Sequence, residues 1–169
     1  TPAGLSGSVF IHLASAFSVP IGGTLADWFS RRMKGGRMLV QALGLLGGST
    51  FVFLVGTTHD VQVLLVSMAI FGFCKGFYDS NIFASIYDVV HPRARATAAG
   101  IMNTVGWGGG ALGPLAVGWF AQHGHQGSEM ENMSQAIAFG GAIYLAAAIL
   151  LAVAIFGFAK KDVVRQWPA

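Results

Sequence analysis

The chain has 169 residues, 54% hydrophobic and 10% charged, with a mean hydropathy of +0.62 and a formal net charge of +3. Soluble domains carry about 25% charged residues, so this composition excludes an ordinary water-soluble domain. The cations sit in short segments between apolar blocks, which argues against a nucleic-acid binder, and the single cysteine, Cys74, allows no internal disulfide.

Five apolar blocks follow one another, at about residues 5–27, 38–55, 61–87, 96–121 and 135–158. A membrane-spanning helix needs about 20 mainly apolar residues. The pattern predicts an all-α membrane protein, a single transmembrane domain of five helices. The breaks between blocks carry, in order, four, none, two and none of the Lys and Arg residues, and the tail carries three. The first break holds Arg31, Arg32, Lys34 and Arg37, the third Arg93 and Arg95, and the tail Lys160, Lys161 and Arg165. This alternation places those segments in the cytoplasm and residue 1 outside. An outside start with a cytoplasmic end predicts at least one further helix before Thr1.

The first block carries His12, Ser15, Ser18 and Pro20. Pro20 removes a backbone hydrogen bond and is expected to bend the helix. His12 either packs through a hydrogen bond or lines a cavity, where it would bind substrate or a proton. The break that follows reads Gly22-Gly23-Thr24-Leu25-Ala26-Asp27-Trp28-Phe29-Ser30-Arg31-Arg32. Its glycines permit close backbone approach and a sharp exit from the membrane. Asp27 stands at the membrane surface among cations it can pair with.

This segment, with Gly23, Asp27, Arg31 and Arg32 at its fixed positions, resembles the G-x-L-a-D-r-x-G-r-k signature of the major facilitator superfamily. Trp28 stands where Arg is usual and Ser30 where Gly is usual, as in the second-half copy of that loop. The resemblance implies the C-terminal six-helix half of a twelve-helix transporter, without its first helix and without the N-terminal half.

The second block has Gly44 and Gly48 one turn apart, a small-residue face for helix packing. The third holds Lys75, Tyr78 and Asp79 inside an apolar run. A charge at the centre of a membrane helix costs about 2.5–3.5 kcal/mol on insertion scales. Lys75 and Asp79 are one turn apart and share a face. They are read as facing a polar passage, against the plainer reading of a pair that only fixes packing. Asp88, near the cytoplasmic end, is expected to anchor to Arg93 or Arg95. The run from Asp88 through Pro92 and Arg95 to Gly100 resembles the D-x-x-P-x-x-x-R-x-x-A-x-G linker of the same superfamily.

The fourth block repeats small or bend-prone residues every fourth position, Gly106, Gly110, Pro114 and Gly118. Such a stripe lets a backbone approach and a helix bend. Gly113, Pro114 and Gly118 resemble the superfamily's G-P-x-x-x-G element. Asn103 and Trp107 share a face and are candidates to line the passage, Asn103 the better one. The loop after it carries His123 and His125, a pairing with no further ligand cluster, so no metal site is expected. The fifth block is nearly all apolar, with Tyr144 as its polar handle, and Trp167 in the tail is a candidate interfacial anchor.

The resemblance implies a secondary transporter with alternating access, multi-pass in a bacterial inner membrane and surrounded by lipid bilayer. The third and fourth blocks look most like the superfamily's bacterial organic-anion or sugar-acid symporters, which implies a small organic solute, with an anion favoured by Lys75, moved with H+ or Na+. Tyr78 and Asn103 would donate hydrogen bonds to the solute, and no cofactor is expected. Drug or lipid efflux within the superfamily is the rival transport reading. A membrane enzyme finds no supporting pair of side chains, and a non-transporting membrane receptor is the other class.

Overall fold

The structure is a computed structural model that describes residues 2–124 and 127–164, with the backbone alone over residues 2–8. The expectations for His125, Arg165 and Trp167 lie outside the described residues. Among the described residues seven α-helices run in order: α1 Pro2–Arg32, α2 Gly36–Thr57, α3 Val61–Asp79, α4 Ile82–Val89, α5 Arg95–His123, α6 Glu129–Gly157 and α7 Ala159–Asp162. A 3-10 turn, Pro92–Ala94, leads into α5. No strand occurs among the described residues, and the protein is an all-α membrane protein.

Among the described residues four stretches are long and apolar enough to cross a membrane: Val9–Arg32, Gly36–Thr57, Val61–Val89 and Glu129–Gly157. The expected fifth span corresponds to α5, which has the length, 29 residues, but not the apolar composition. Its glycines, Asn103 and Pro114 dilute the hydrophobic residues.

α1 continues to Arg32, five residues past the expected end, so the signature segment is helix and not loop. The turn out of α1 comes at Gly35, whose φ of 81° is the left-handed region that costs glycine least. The third block is two helices. α3 ends at Asp79 and α4 begins at Ile82. α6 starts at Glu129, earlier than expected, because Ser128 caps it: the Ser128 hydroxyl accepts from the Glu131 amide at 3.2 Å. Glu129 and Glu131 in that first turn suit the positive end of the helix dipole.

Helix α2 is the centre of the bundle, packed on α3 along one side and α6 along another, with α1 against α3. Glycines set these approaches. A Cβ on Gly44 would lie 2.6 Å from the Cys74 carbonyl oxygen, one on Gly56 2.4 Å from the Ala138 nitrogen, and one on Gly72 2.3 Å from the Ile11 oxygen. Backbones this close can pack tightly without the large side chains that a water-soluble core would need. α5 stands apart, touching α6 and α4, with no buried residue of its own.

Candidate functional site

Lys75 and Asp79 lie on the last turns of α3 and form an ion pair, Lys75 Nζ donating to Asp79 Oδ2. Their side chains are 35% and 33% exposed. At 100° per residue, both fall between Gly72, which faces α1, and Phe71, whose ring meets Tyr144 of α6 at 5.6 Å. The pair therefore occupies the side of α3 flanked by α1 and α6, which nothing among the described residues covers fully. Tyr78 lies on the same turn, partly buried.

The helix breaks one residue after Asp79, and polar side chains hold the break. The Ser80 hydroxyl donates to the Phe77 carbonyl at 3.2 Å, and Asn81 Nδ2 donates to the same carbonyl at 3.1 Å. Ser and Asn compete with the helix for backbone groups in this way. Asn81 is 2% exposed and also reaches the Gly22 carbonyl of α1 at 3.4 Å. The Ser85 hydroxyl sits 2.6 Å from Gln41 Oε1 of α2 and 2.7 Å from the Asn81 carbonyl. Gly22 completes the contact, since a Cβ there would lie 2.7 Å from Ser80 Oγ. Ser18 is fully buried beside Gly76 and donates to the Ser15 carbonyl at 3.0 Å. A polar seam thus runs between α1, α2 and the α3–α4 break, directly beside the ion pair. Sequence reasoning places Asn81 beside the two charges but further round the helix, and passes over Ser85 and Gln41. The signal was present in Ser80-Asn81, two adjacent residues that favour caps and turns over helix interior.

His12 and Asn103 are exposed on α1 and α5, and neither bonds to the ion pair among the described residues. Gly110 and Gly113 face open space, as does every α5 glycine, so no backbone among the described residues uses the stripe around Pro114. Among the described residues a cavity lies at each end of the bundle. One, about 1650 Å3, opens between α2, α3 and α6 at the end away from the basic segments, lined by Leu64, Leu65, Met68 and Phe139 with His59 and Glu131 among them. The other, about 460 Å3, lies among the basic segments. Lys75 and Asp79 line neither.

At the basic end, Asp27 pairs with Arg37 at 3.1 Å, across the turn and not with its sequence neighbours Arg31 and Arg32. Arg37 also bridges to Asp88 at 2.5 Å. Asp88 was expected to meet Arg93 or Arg95; Arg95 instead donates to the Tyr87 carbonyl at 3.2 Å and lies over the Tyr87 ring. Arg37 wins because α2 passes between α1 and α4, putting its guanidinium within reach of both carboxylates. Arg32 stacks on Trp28, 3.8 Å from the ring centroid. The expected close approach belongs to Gly22, since a Cβ on Gly23 would meet nothing within 4 Å.

The sequence matches the Major Facilitator Superfamily across residues 1–168. The chain belongs to that superfamily. The quinolone resistance protein NorA of Staphylococcus aureus is 32% identical over 129 residues, 73% of this chain and 32% of NorA. The multidrug resistance protein MdtG of Salmonella typhi is 33% identical over 120 residues, 70% of this chain and 28% of MdtG. The chain thus spans about a third of the length of the curated relatives it matches. No solved structure matches it.

Proposed function

We propose that this superfamily chain supplies part of a secondary transporter that moves a small organic solute across a bacterial plasma membrane, with no cofactor and with H+ or Na+ as coupling ion. The observation that carries the reading is the Lys75–Asp79 pair, one-third exposed inside an apolar span and set one residue before a helix break. Ionisable residues inside a membrane mark solute or ion pathways. Discontinuous helices are recurrent places for transporter sites, because freed backbone groups and helix ends there bind polar solutes. In this reading Lys75 receives an anionic group of the solute, Asp79 releases Lys75 or exchanges a proton, and Tyr78 donates a hydrogen bond. Asn103 and His12 join the site only if the remaining helices of the transporter close over α1 and α5. A shift between inward and outward states requires that the solute bind the two unequally.

A second reading is drug export, favoured by the printed names of NorA and MdtG. There Asp79 would meet a cationic group and Lys75 would pair with Asp79 between cycles. Vesicle assays in both directions separate the two. Lys75→Ala and Asp79→Asn should each lower flux at least about tenfold with normal membrane insertion, the scale of one lost charged contact. Loss of anion uptake supports the first reading, and loss of resistance with loss of cation export supports the second. Normal flux of every solute in both variants rules out this site.

A further inference from the structure

Three basic segments meet at one end of the bundle and are tied together there. Lys34 Nζ donates to the Lys160 carbonyl at 3.1 Å, and the Val164 amide donates to the Asp88 carbonyl at 2.9 Å. Ala159 packs against Gly35 and is 2% exposed, and Val163 is 5% exposed. Residues 159–164 therefore cross the end of the helices as a strap. Between strap, α1–α2 turn and α4 lies the cavity of about 460 Å3, lined by Arg31, Lys34, Arg37, Asp27, Asp88 and Val163, among others.

The charges of this cavity do not cancel. Arg37 is satisfied by Asp27 and Asp88. Arg31 and Lys34 remain, both exposed at the rim and paired with no carboxylate among the described residues, with Lys160 and Lys161 exposed nearby. The depth is given by Trp28, 45% exposed and one turn before Arg32, an amphipathic ring of the kind that settles at headgroup level. A cavity with surplus cations at that level fits a phosphate monoanion whose other end is apolar.

We infer that this cavity binds the phosphate of an anionic phospholipid, with Arg31 and Lys34 as its contacts and the acyl chains lying beside Trp28 outside the bundle. Basic pockets at the cytoplasmic ends of membrane helices hold acidic headgroups by this chemistry. A soluble organic phosphate shares the same contacts but gains nothing from the membrane level of the site.

The test uses the intact protein in detergent, with bound lipid counted by native mass spectrometry against phosphatidylglycerol or phosphatidylcholine. The expected result is a preference for phosphatidylglycerol that falls about fivefold for each cation removed in Arg31→Gln/Lys34→Gln. Arg31→Glu, which disturbs no bond of the strap, must abolish the preference as well. Arg93→Gln/Lys161→Gln removes the same charge outside the cavity and should leave it intact. An equal fall in both double variants assigns the effect to diffuse surface charge and overturns the inference, as does equal retention of both lipids by the unaltered protein. Displacement of the lipid by millimolar glycerol phosphate overturns the lipid assignment in favour of a soluble phosphate.

Discussion

Arg37 reaches carboxylates on two different helices, Asp27 of α1 and Asp88 at the end of α4. The two bonds are unequal in worth. The Asp27 side chain is 62% exposed and its pairing is screened by water, whereas that of Asp88 is 21% exposed. Hydrogen bonds to charged groups contribute about 1.5–3 kcal/mol where they are sheltered. Arg37→Ala should therefore cost about 2 kcal/mol, nearly all from Asp88, and lower the melting temperature by several degrees. Arg37→Lys keeps the charge but loses the fork that spans both carboxylates, and should fall between. An unchanged melt in Arg37→Ala would assign no stability to the network. Pattern alone placed Lys75, Tyr78 and Asp79 together, because residues one turn apart must share a side. It misassigned the partner of Asp88, because Arg37 and Asp88 are 51 residues apart and only packing brings them together.

At the level of elements, the break between α3 and α4 and the separation of α5 are the two departures from a simple row of spans. The apolar run from Val61 to Val89 has the hydropathy of one crossing, and hydropathy does not register a break inside it. Ser80 and Asn81 make the break by taking the Phe77 carbonyl with side chains, and α1 and α2 supply its remaining partners. The end of α1 was misjudged for a related reason. Polarity marks where the bilayer ends, while the helix runs on to Arg32 as long as nothing stops it. The glycines separate by position in the same way. Gly72→Ala would drive a methyl group to within 2.3 Å of the Ile11 carbonyl, so α1 must shift, at about 1–3 kcal/mol. Gly110→Ala meets nothing within 4 Å of this chain and should instead stabilise α5 by up to about 1 kcal/mol. Thermal melts of the two variants should move in opposite directions. A fall in Gly110→Ala equal to that in Gly72→Ala would show that the stripe is packed against something other than the described residues.

For the whole molecule, the alternation of basic and non-basic breaks makes a definite claim about sidedness. The structure gathers the α1–α2 turn, the segment after α4 and the strap at one end, which is the arrangement that alternation requires. In a Cys74→Ser background, a membrane-impermeant thiol reagent added to intact cells should label a His59→Cys variant and spare Arg93→Cys. Inverted vesicles should give the reverse. Labelling of Arg93→Cys from outside would overturn the orientation, and with it the leaflet assigned to the lipid site. The exposed α5, and the open side of α3 where Lys75 and Asp79 lie, are the surfaces on which any further transporter helices would act.

Composition and the length of the apolar blocks were sufficient for the class of this protein, because the bilayer imposes its own thickness on any helix that crosses it. The residues of the signature segment were sufficient for its family. Which cation holds which carboxylate, where the third block divides, and which glycines touch another backbone were decided by tertiary structure alone. Those outcomes depend on separations of a few ångströms between helices distant in the chain, and local periodicity carries no information about them.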